Sequence, residues 1–162
     1  MRTTTTLLKK PMRLVLDTNI VMDMLHFSDR HTRPLHSLIV AGRLQCFSDS
    51  ECLAELERVT GYPEFNLDAD ARKALIDAYR QFVSVCDAAG EENYPLPRCR
   101  DADDQKFLIL AARCAADLLI TRDKLLLRLA RHRRLPPPFN ILTAEAACRL
   151  LQLAPEDPAR LV

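Results

Sequence analysis

The sequence predicts an α/β fold, a three-layer α/β/α sandwich around a central, mainly parallel sheet. Three observations predict it. Short runs rich in Leu, Val and Ile alternate along the chain with segments of helical spacing. Two of the runs, Leu14-Val-Leu and Leu118-Leu-Ile, are apolar throughout rather than at every second position, as expected of strands buried on both faces. The chain has 162 residues, of which 48% are hydrophobic, so one domain can enclose a sizeable core.

Arg13-Leu-Val-Leu-Asp17 reads as a buried strand ending in an acid. Thr18 or Asn19 is placed to cap a helix over Ile20–Leu25. Arg33-Pro34 opens a second helix, Leu35–Ala41, which Gly42 stops. Leu44–Phe47 is a second strand. Ser48 or Asp49 caps a helix over Glu51–Thr60, broken by Gly61-Tyr62-Pro63. Leu67–Phe82 carries helical spacing, and Val83–Cys86 reads as a short strand. Ala88–Arg100, with Gly90, Pro95 and Pro97, is loop-like. Asp101 to Asp104 heads a helix reaching about Cys114. Leu118–Thr121 is a buried strand, Leu125–Arg131 a helix, and Phe139–Leu142 the last strand. Thr143 then caps a final helix, Ala144–Leu151. The expected organisation is a tail over 1–12, one domain over 13–152 and a second tail over 153–162.

Composition excludes several classes. The net charge is only +1, so overall basicity does not announce nucleic-acid binding, although an acidic site inside a basic rim would also sum to near zero. No run of about 18 apolar residues exists, so no membrane span is expected. Met1–Lys10 has no signal-peptide character. The six cysteines form no C-x-x-C pair and read as reduced, buried thiols in a cytoplasmic protein. Three glycines, none in a phosphate-cradling run, exclude a P-loop. His26, His31 and His36, spaced by five, share no helix face and receive no metal role.

In open parallel sheets, sites form beyond the carboxyl ends of strands. Asp17 closes the first strand, and Asp123 follows the Leu118–Thr121 strand by two residues. Glu55 lies one turn into its helix, and Asp104 sits at the head of another with Asp101 three residues before it. Acids at helix starts also suit the helix dipole and frequently serve as caps. An acid directly after Leu-Val-Leu is harder to explain, because burying it is costly unless it is paired or holds a cation. Four acids at one sheet edge would repel one another unless a cation neutralised them, and oxygen donors favour Mg²⁺ or Mn²⁺ over zinc.

Four segments occur in order: Val15-Leu-Asp17-Thr-Asn-Ile20, Glu55-Leu-Glu-Arg-Val59, Arg100-Asp-Ala-Asp-Asp-Gln-Lys-Phe-Leu108 and Leu119-Ile-Thr-Arg-Asp123-Lys-Leu-Leu126. Together they resemble the PIN domain, and in particular the PIN-like ribonuclease toxins of bacterial toxin–antitoxin systems, over about Arg13 to Leu151. The resemblance implies a Mg²⁺- or Mn²⁺-dependent endoribonuclease. Asp17, Glu55, Asp104 and Asp123 would be catalytic and hold metal, with Asp101 as a further ligand. The choice among Asp101, Asp103 and Asp104 stays open. Asn19 would brace the first acid, and Thr121 would supply an accompanying hydroxyl. The resemblance also implies an RNA substrate, a cognate antitoxin and a homodimer.

Arg128, Arg131, His132, Arg133 and Arg134, with Arg122 and Lys124 beside Asp123, form the candidate RNA-binding surface, although Arg near a helix C-terminus equally suits the dipole. Leu35, Leu38 and Ile39 make an apolar stripe that is either core or a docking surface. Two rival readings stand beside the nuclease: a catalytically silent RNA- or protein-binding module, and an aspartyl phosphatase or phosphate-accepting domain. The phosphatase wants a second acid two positions beyond Asp17, where Asn19 stands.

Overall fold

The computed structural model describes residues 10–153. Most of both expected tails lies outside these residues. Inside them, Met12 already belongs to the first strand, and Leu153 packs on the core.

Five strands form one sheet: β1 (Met12–Leu16), β2 (Leu44–Ser48), β3 (Val83–Val85), β4 (Leu118–Ile120) and β5 (Asn140–Leu142). Their order is β3-β2-β1-β4-β5, and every pairing is parallel. Among the described residues, seven helices connect them: α1 (Thr18–Leu25), α2 (Thr32–Val40), α3 (Ser50–Thr60), α4 (Ala69–Phe82), α5 (Gln105–Arg113), α6 (Lys124–Leu129) and α7 (Ala144–Leu150). Among the same residues no helix is long and apolar enough to cross a membrane.

The period of two along each strand divides the core between the faces of the sheet. Leu14, Leu16, Leu118 and Ile120 point to one face, where α1, α2, α4 and α7 cover them. Val15 and Leu119 point to the other, against Phe107, Leu108 and Ala111 of α5 and Leu126 of α6. The two central strands are therefore apolar over Leu14–Leu16 and Leu118–Ile120, which is the pattern the sequence carries there.

Several boundaries differ from expectation for local reasons. The N-cap position of α1 is Asp17 rather than Thr18 or Asn19, and no side chain caps it, because the Asp17 carboxylate and the Thr18 hydroxyl are both turned to other partners. Asp49, not Ser48, caps α3, its Oδ1 accepting from the Cys52 N–H at 2.7 Å. Asp68 starts α4 at Ala69, accepting from Ala71 N–H. The segment expected to be helical from Asp101 is a 3-10 turn over Ala102–Asp104 before α5 begins. The α6 helix stops at Leu129, so Arg131, His132, Arg133 and Arg134 lie beyond it. Gly42 adopts φ +75° just after α2, a conformation that glycine accommodates without strain. The Leu35–Ile39 stripe is not a docking surface: Leu35 and Ile39 are buried and Leu38 packs against the same core, because α2 lies against β2, α1 and α7.

The irregular stretch after β3 is anchored by one side chain. Arg113, at the end of α5, donates from Nε and Nη2 to both carboxylate oxygens of Glu92, at 2.9 and 2.6 Å. Its Nη1 donates to Asp49 Oδ2 at 3.0 Å and to the Cys86 carbonyl at 2.6 Å. The three charged side chains are largely buried. Removing one member of a buried charged cluster strands the others, at about 3 kcal/mol. Arg113→Met is accordingly expected to lower unfolding free energy in urea by about 3 kcal/mol. It should also make the 86–100 stretch the first site of limited proteolysis. Wild-type stability in the variant would overturn this role.

Candidate active site

The strand order reverses direction at β1: β2 and β3 lie on one side, β4 and β5 on the other. The crevice beyond the carboxyl ends of β1 and β4 is therefore where a doubly wound sheet places its site. Asp17 leaves β1 at this point, and its backbone N–H continues the ladder by donating to the Ile120 carbonyl at 3.0 Å. Its side chain is buried, at 5% exposure. The Thr121 hydroxyl, fully buried at the end of β4, donates to Asp17 Oδ2 at 2.7 Å. The same Thr121 oxygen accepts the Asp123 N–H at 3.0 Å, and Asp123 Oδ1 accepts the Leu125 N–H at 2.7 Å. One hydroxyl thus ties Asp17 to the backbone of Asp123, and the second Asp123 oxygen is left uncommitted by that cap.

Asp104 ends the 3-10 turn and stands at the N-cap position of α5, yet its side chain caps nothing. Its carboxyl is pushed up to about 7, chiefly by burial and then by the charges of Asp17, Asp101, Asp123 and Glu55. Asp17 is also raised, by burial first. The Thr121 hydrogen bond and the Asn19 backbone N–H pull it back, while Glu55 and Asp123 push it further up. Asp17, Glu55, Asp101, Asp104 and Asp123 are therefore gathered within electrostatic reach of one another. Asp103 contributes backbone instead: its N–H donates to Asp101 Oδ1, and its carbonyl accepts from Lys106.

Glu55 differs from the other acids. The α3 helix points it under the cluster, where its Oε1 accepts from Lys106 Nζ at 2.8 Å and its Oε2 accepts from the Thr18 hydroxyl. Lys106 is 8% exposed and also donates to the Asp103 carbonyl, again at 2.8 Å. Burial works to lower its pKa, but the hydrogen bond and charge of Glu55 outweigh that and hold it above the ordinary lysine value.

Neither Lys106 nor Thr18 stood out in the sequence as a site residue. A signal for Lys106 existed: it precedes Leu110 by four, on the buried side of an otherwise apolar helix face, where a lysine needs a partner. Other expected residues fall outside the cluster. The Asn19 side chain is exposed, so only its backbone acts on Asp17. Arg122 turns to the α1 side and donates to Asp23 at 3.0 Å. Arg128, Arg131 and Arg133 take no part in the acidic cluster.

All the gathered donors are carboxylate oxygens, a set suited to a hard divalent cation rather than zinc. As the side chains stand, no three His, Cys, Asp or Glu groups among the described residues are close enough to grip one ion. The chemistry of the donors fits such a cation, and the mutual repulsion recorded in Asp104 is what a cation would offset.

An all-parallel doubly wound sheet with acids collected at its switch point defines an α/β domain with an acidic site beyond the carboxyl ends of its strands. A family model described as PIN domain matches residues 13–125, and the chain belongs to that family. Domains of this family are generally nucleases and typically bind divalent metal ions. No curated protein matches the chain.

The raised Asp104 carboxyl makes stability depend on pH. In metal-free protein Asp104 titrates near 7 when folded and near 3.8 when unfolded. Between those values the folded state holds more protons, so stability falls as pH rises through the window, and the loss is complete above it. Thermal melts of metal-free protein from pH 4 to 8 should show this fall, and Asp104→Asn should flatten it. A flat wild-type profile would contradict the raised value. The buried Glu55–Lys106 pair is open to a separate test. Lys106→Met leaves Glu55 with a buried, unpaired charge, a loss of about 3 kcal/mol. Glu55→Met/Lys106→Met should recover most of it in a urea titration; equal losses in single and double variants would show that the pair is not coupled.

Proposed function

We propose that this protein is a Mg²⁺- or Mn²⁺-dependent endoribonuclease, the toxin component of a toxin–antitoxin system. The observation that carries the reading is the crowding of Asp17, Asp104 and Asp123 at the switch point of the sheet. Burial and their own mutual repulsion raise Asp104, and no cationic side chain among the described residues is paired with any of the three. Such a cluster favours binding of a divalent cation.

In this reading Asp17, Asp104 and Asp123 hold the metal, with Asp101 in reach. A bound divalent ion supplies Lewis acidity toward the phosphate and toward an attacking water. The chain does the positioning. Thr121 fixes the Asp17 carboxylate and the Asp123 backbone in one hydrogen-bonded unit, so two acids at the ends of different strands keep a constant separation. Lys106 and Thr18 engage both oxygens of Glu55, so Glu55 serves by clamping α3 to α5 beneath the other acids and by shaping their field. Arg122, Arg128, Arg131 and Arg133 would attract the RNA backbone electrostatically. A cytoplasmic location, a cognate antitoxin and a homodimer belong to the same proposal.

Purified protein is expected to cleave a structured RNA with Mg²⁺ or Mn²⁺ and to lose cleavage in EDTA. Asp17→Asn should abolish cleavage while preserving the melting curve, because an asparagine oxygen can still accept from Thr121. Activity should also fall at acid pH, as Asp104 and Asp17 take up protons. Wild-type rates in folded Asp17→Asn protein would overturn the assignment. RNA binding without cleavage by metal-loaded protein would favour a catalytically silent RNA-binding module instead.

A further inference from the structure

The stretch between β3 and α5 runs beside the acidic cluster, and its side chains follow a regular pattern. Pro97 is buried, Arg98 exposed, Cys99 buried, Arg100 exposed. The alternation is fixed by Gln105, whose Oε1 accepts the Cys99 N–H at 2.7 Å and whose Nε2 donates to the Pro97 carbonyl at 3.1 Å. The Cys99 thiol between the two arginines feels the charges of Asp104, Asp123 and Asp101. Arg98 and Arg100 therefore flank a residue that lies against the acidic cluster. Neither forms an ion pair among the described residues, although acids stand close by.

Beside this clasp is a recess of about 260 Å³. Tyr94, Leu96 and Ile109 give it apolar walls, and Glu92, Asn93, Arg98 and Gln105 give it polar edges, the Glu92 carboxylate being already paired with Arg113. Tyr94 is 37% exposed, and its position is restrained. Its carbonyl accepts the Leu96 N–H at 2.9 Å, and Glu92, two residues before it, is held by both arms of the Arg113 fork. An aromatic ring held at the mouth of a small recess, with the Asn93 amide at its edge and the unpaired Arg98 guanidinium at its lip, matches the chemistry of a nucleotide in single-stranded RNA. Its base stacks on an aromatic face and hydrogen-bonds along its edge, and its phosphate takes a cation.

We infer that this recess is a nucleobase pocket for single-stranded RNA, with Tyr94 as the stacking face, Asn93 reading the base edge, and Arg98 and Arg100 holding the adjoining phosphates beside the acidic site. The inference rests on the ribonuclease reading and deepens it: the arginine lip and the carboxylates together would lay one strand across the switch point.

The test is fluorescence anisotropy with a labelled single-stranded RNA octamer in EDTA, where it is not cut, over a series of KCl concentrations. Tyr94→Ala is expected to weaken binding about tenfold, and Tyr94→Phe to restore it, since stacking needs the ring and not the hydroxyl. Arg98→Ala/Arg100→Ala should reduce the slope of log affinity against log salt by about 1.4, at about 0.7 for each phosphate no longer neutralised. Both arginines are exposed and unpaired, so melting curves should not move. Wild-type affinity and slope in these variants, with the wild type itself binding RNA, would overturn the pocket and leave the nuclease reading standing. Equal binding of a duplex of the same sequence would overturn it too. Failure of the wild-type protein to bind any RNA would overturn both.

Discussion

A carboxylate buried where a parallel sheet changes its winding direction is the constraint around which the rest of this molecule is arranged. Asp17 cannot lie there without partners, since an isolated ionised group in an apolar surround is strongly unfavourable. The nearest is the Thr121 hydroxyl at 2.7 Å, and it is available only because β4 lies directly beside β1 and ends in register with it. The sheet order and the acid are thus linked. The β1–β4 pairing that buries Leu14, Leu16, Leu118 and Ile120 also sets the threonine against the aspartate. Hydrophobic burial supplies the driving force, and the hydrogen bond fixes which way the chain leaves the strand.

A second level of order ties helices to this centre. The α3 and α5 helices each bring two of the buried charges. On α5 they are Lys106 and Arg113, seven residues apart and so on one face. At the α3 end they are the capping Asp49 and Glu55. Lys106 meets Glu55 and Arg113 meets Asp49, so the two helices are clamped at two levels along their length. Buried pairs of this kind add little net stability over apolar packing, but they penalise any register in which a partner is missing. Here they fix the approach of α5, and Asp104 stands at the head of α5. The position of Asp104, a candidate site acid, is therefore set in part by these two ion pairs.

The fold was legible in the sequence because burial on both faces leaves an unambiguous pattern. Leu14-Val-Leu and Leu118-Leu-Ile are apolar throughout, and the helices between them carry the spacing of 3.6. Helix starts were less legible. Thr18 has the chemistry of a cap, but its hydroxyl is drawn to Glu55, thirty-seven positions away, and no local rule reports such a pairing. The acids gathered at the sheet edge, Asp17, Asp104 and Asp123, could be picked out from where strands end and helices start. The cations that hold the neighbouring helices were harder to pick out: Lys106 on an apolar helix face signals that it needs a partner but not which one, and Arg113 looks like an ordinary helix-surface residue until its partners are known. Leu35, Leu38 and Ile39 illustrate the converse. An apolar stripe has the same pattern whether another helix covers it or not, and here α7 covers it.

A net charge of +1 conceals the strongest electrostatic feature of the molecule. Positive charge is used internally on Glu55, Asp49, Glu92 and Asp23, while Asp17, Asp104 and Asp123 are left without a cationic partner among the described residues. Such a cluster can be relieved in two ways, by uptake of a proton or by uptake of a cation, and the two compete for the same oxygens. In the proposed metal-dependent reaction, acid conditions would therefore act at two points: protonation removes negative charge from the donors, and it removes the repulsion that favours a cation in the first place. The same reasoning explains why unpaired arginines remain beside the cluster without collapsing onto it. Arg98 and Arg100 are held facing solvent by the Gln105 clasp, so the backbone restrains them from neutralising the acids themselves.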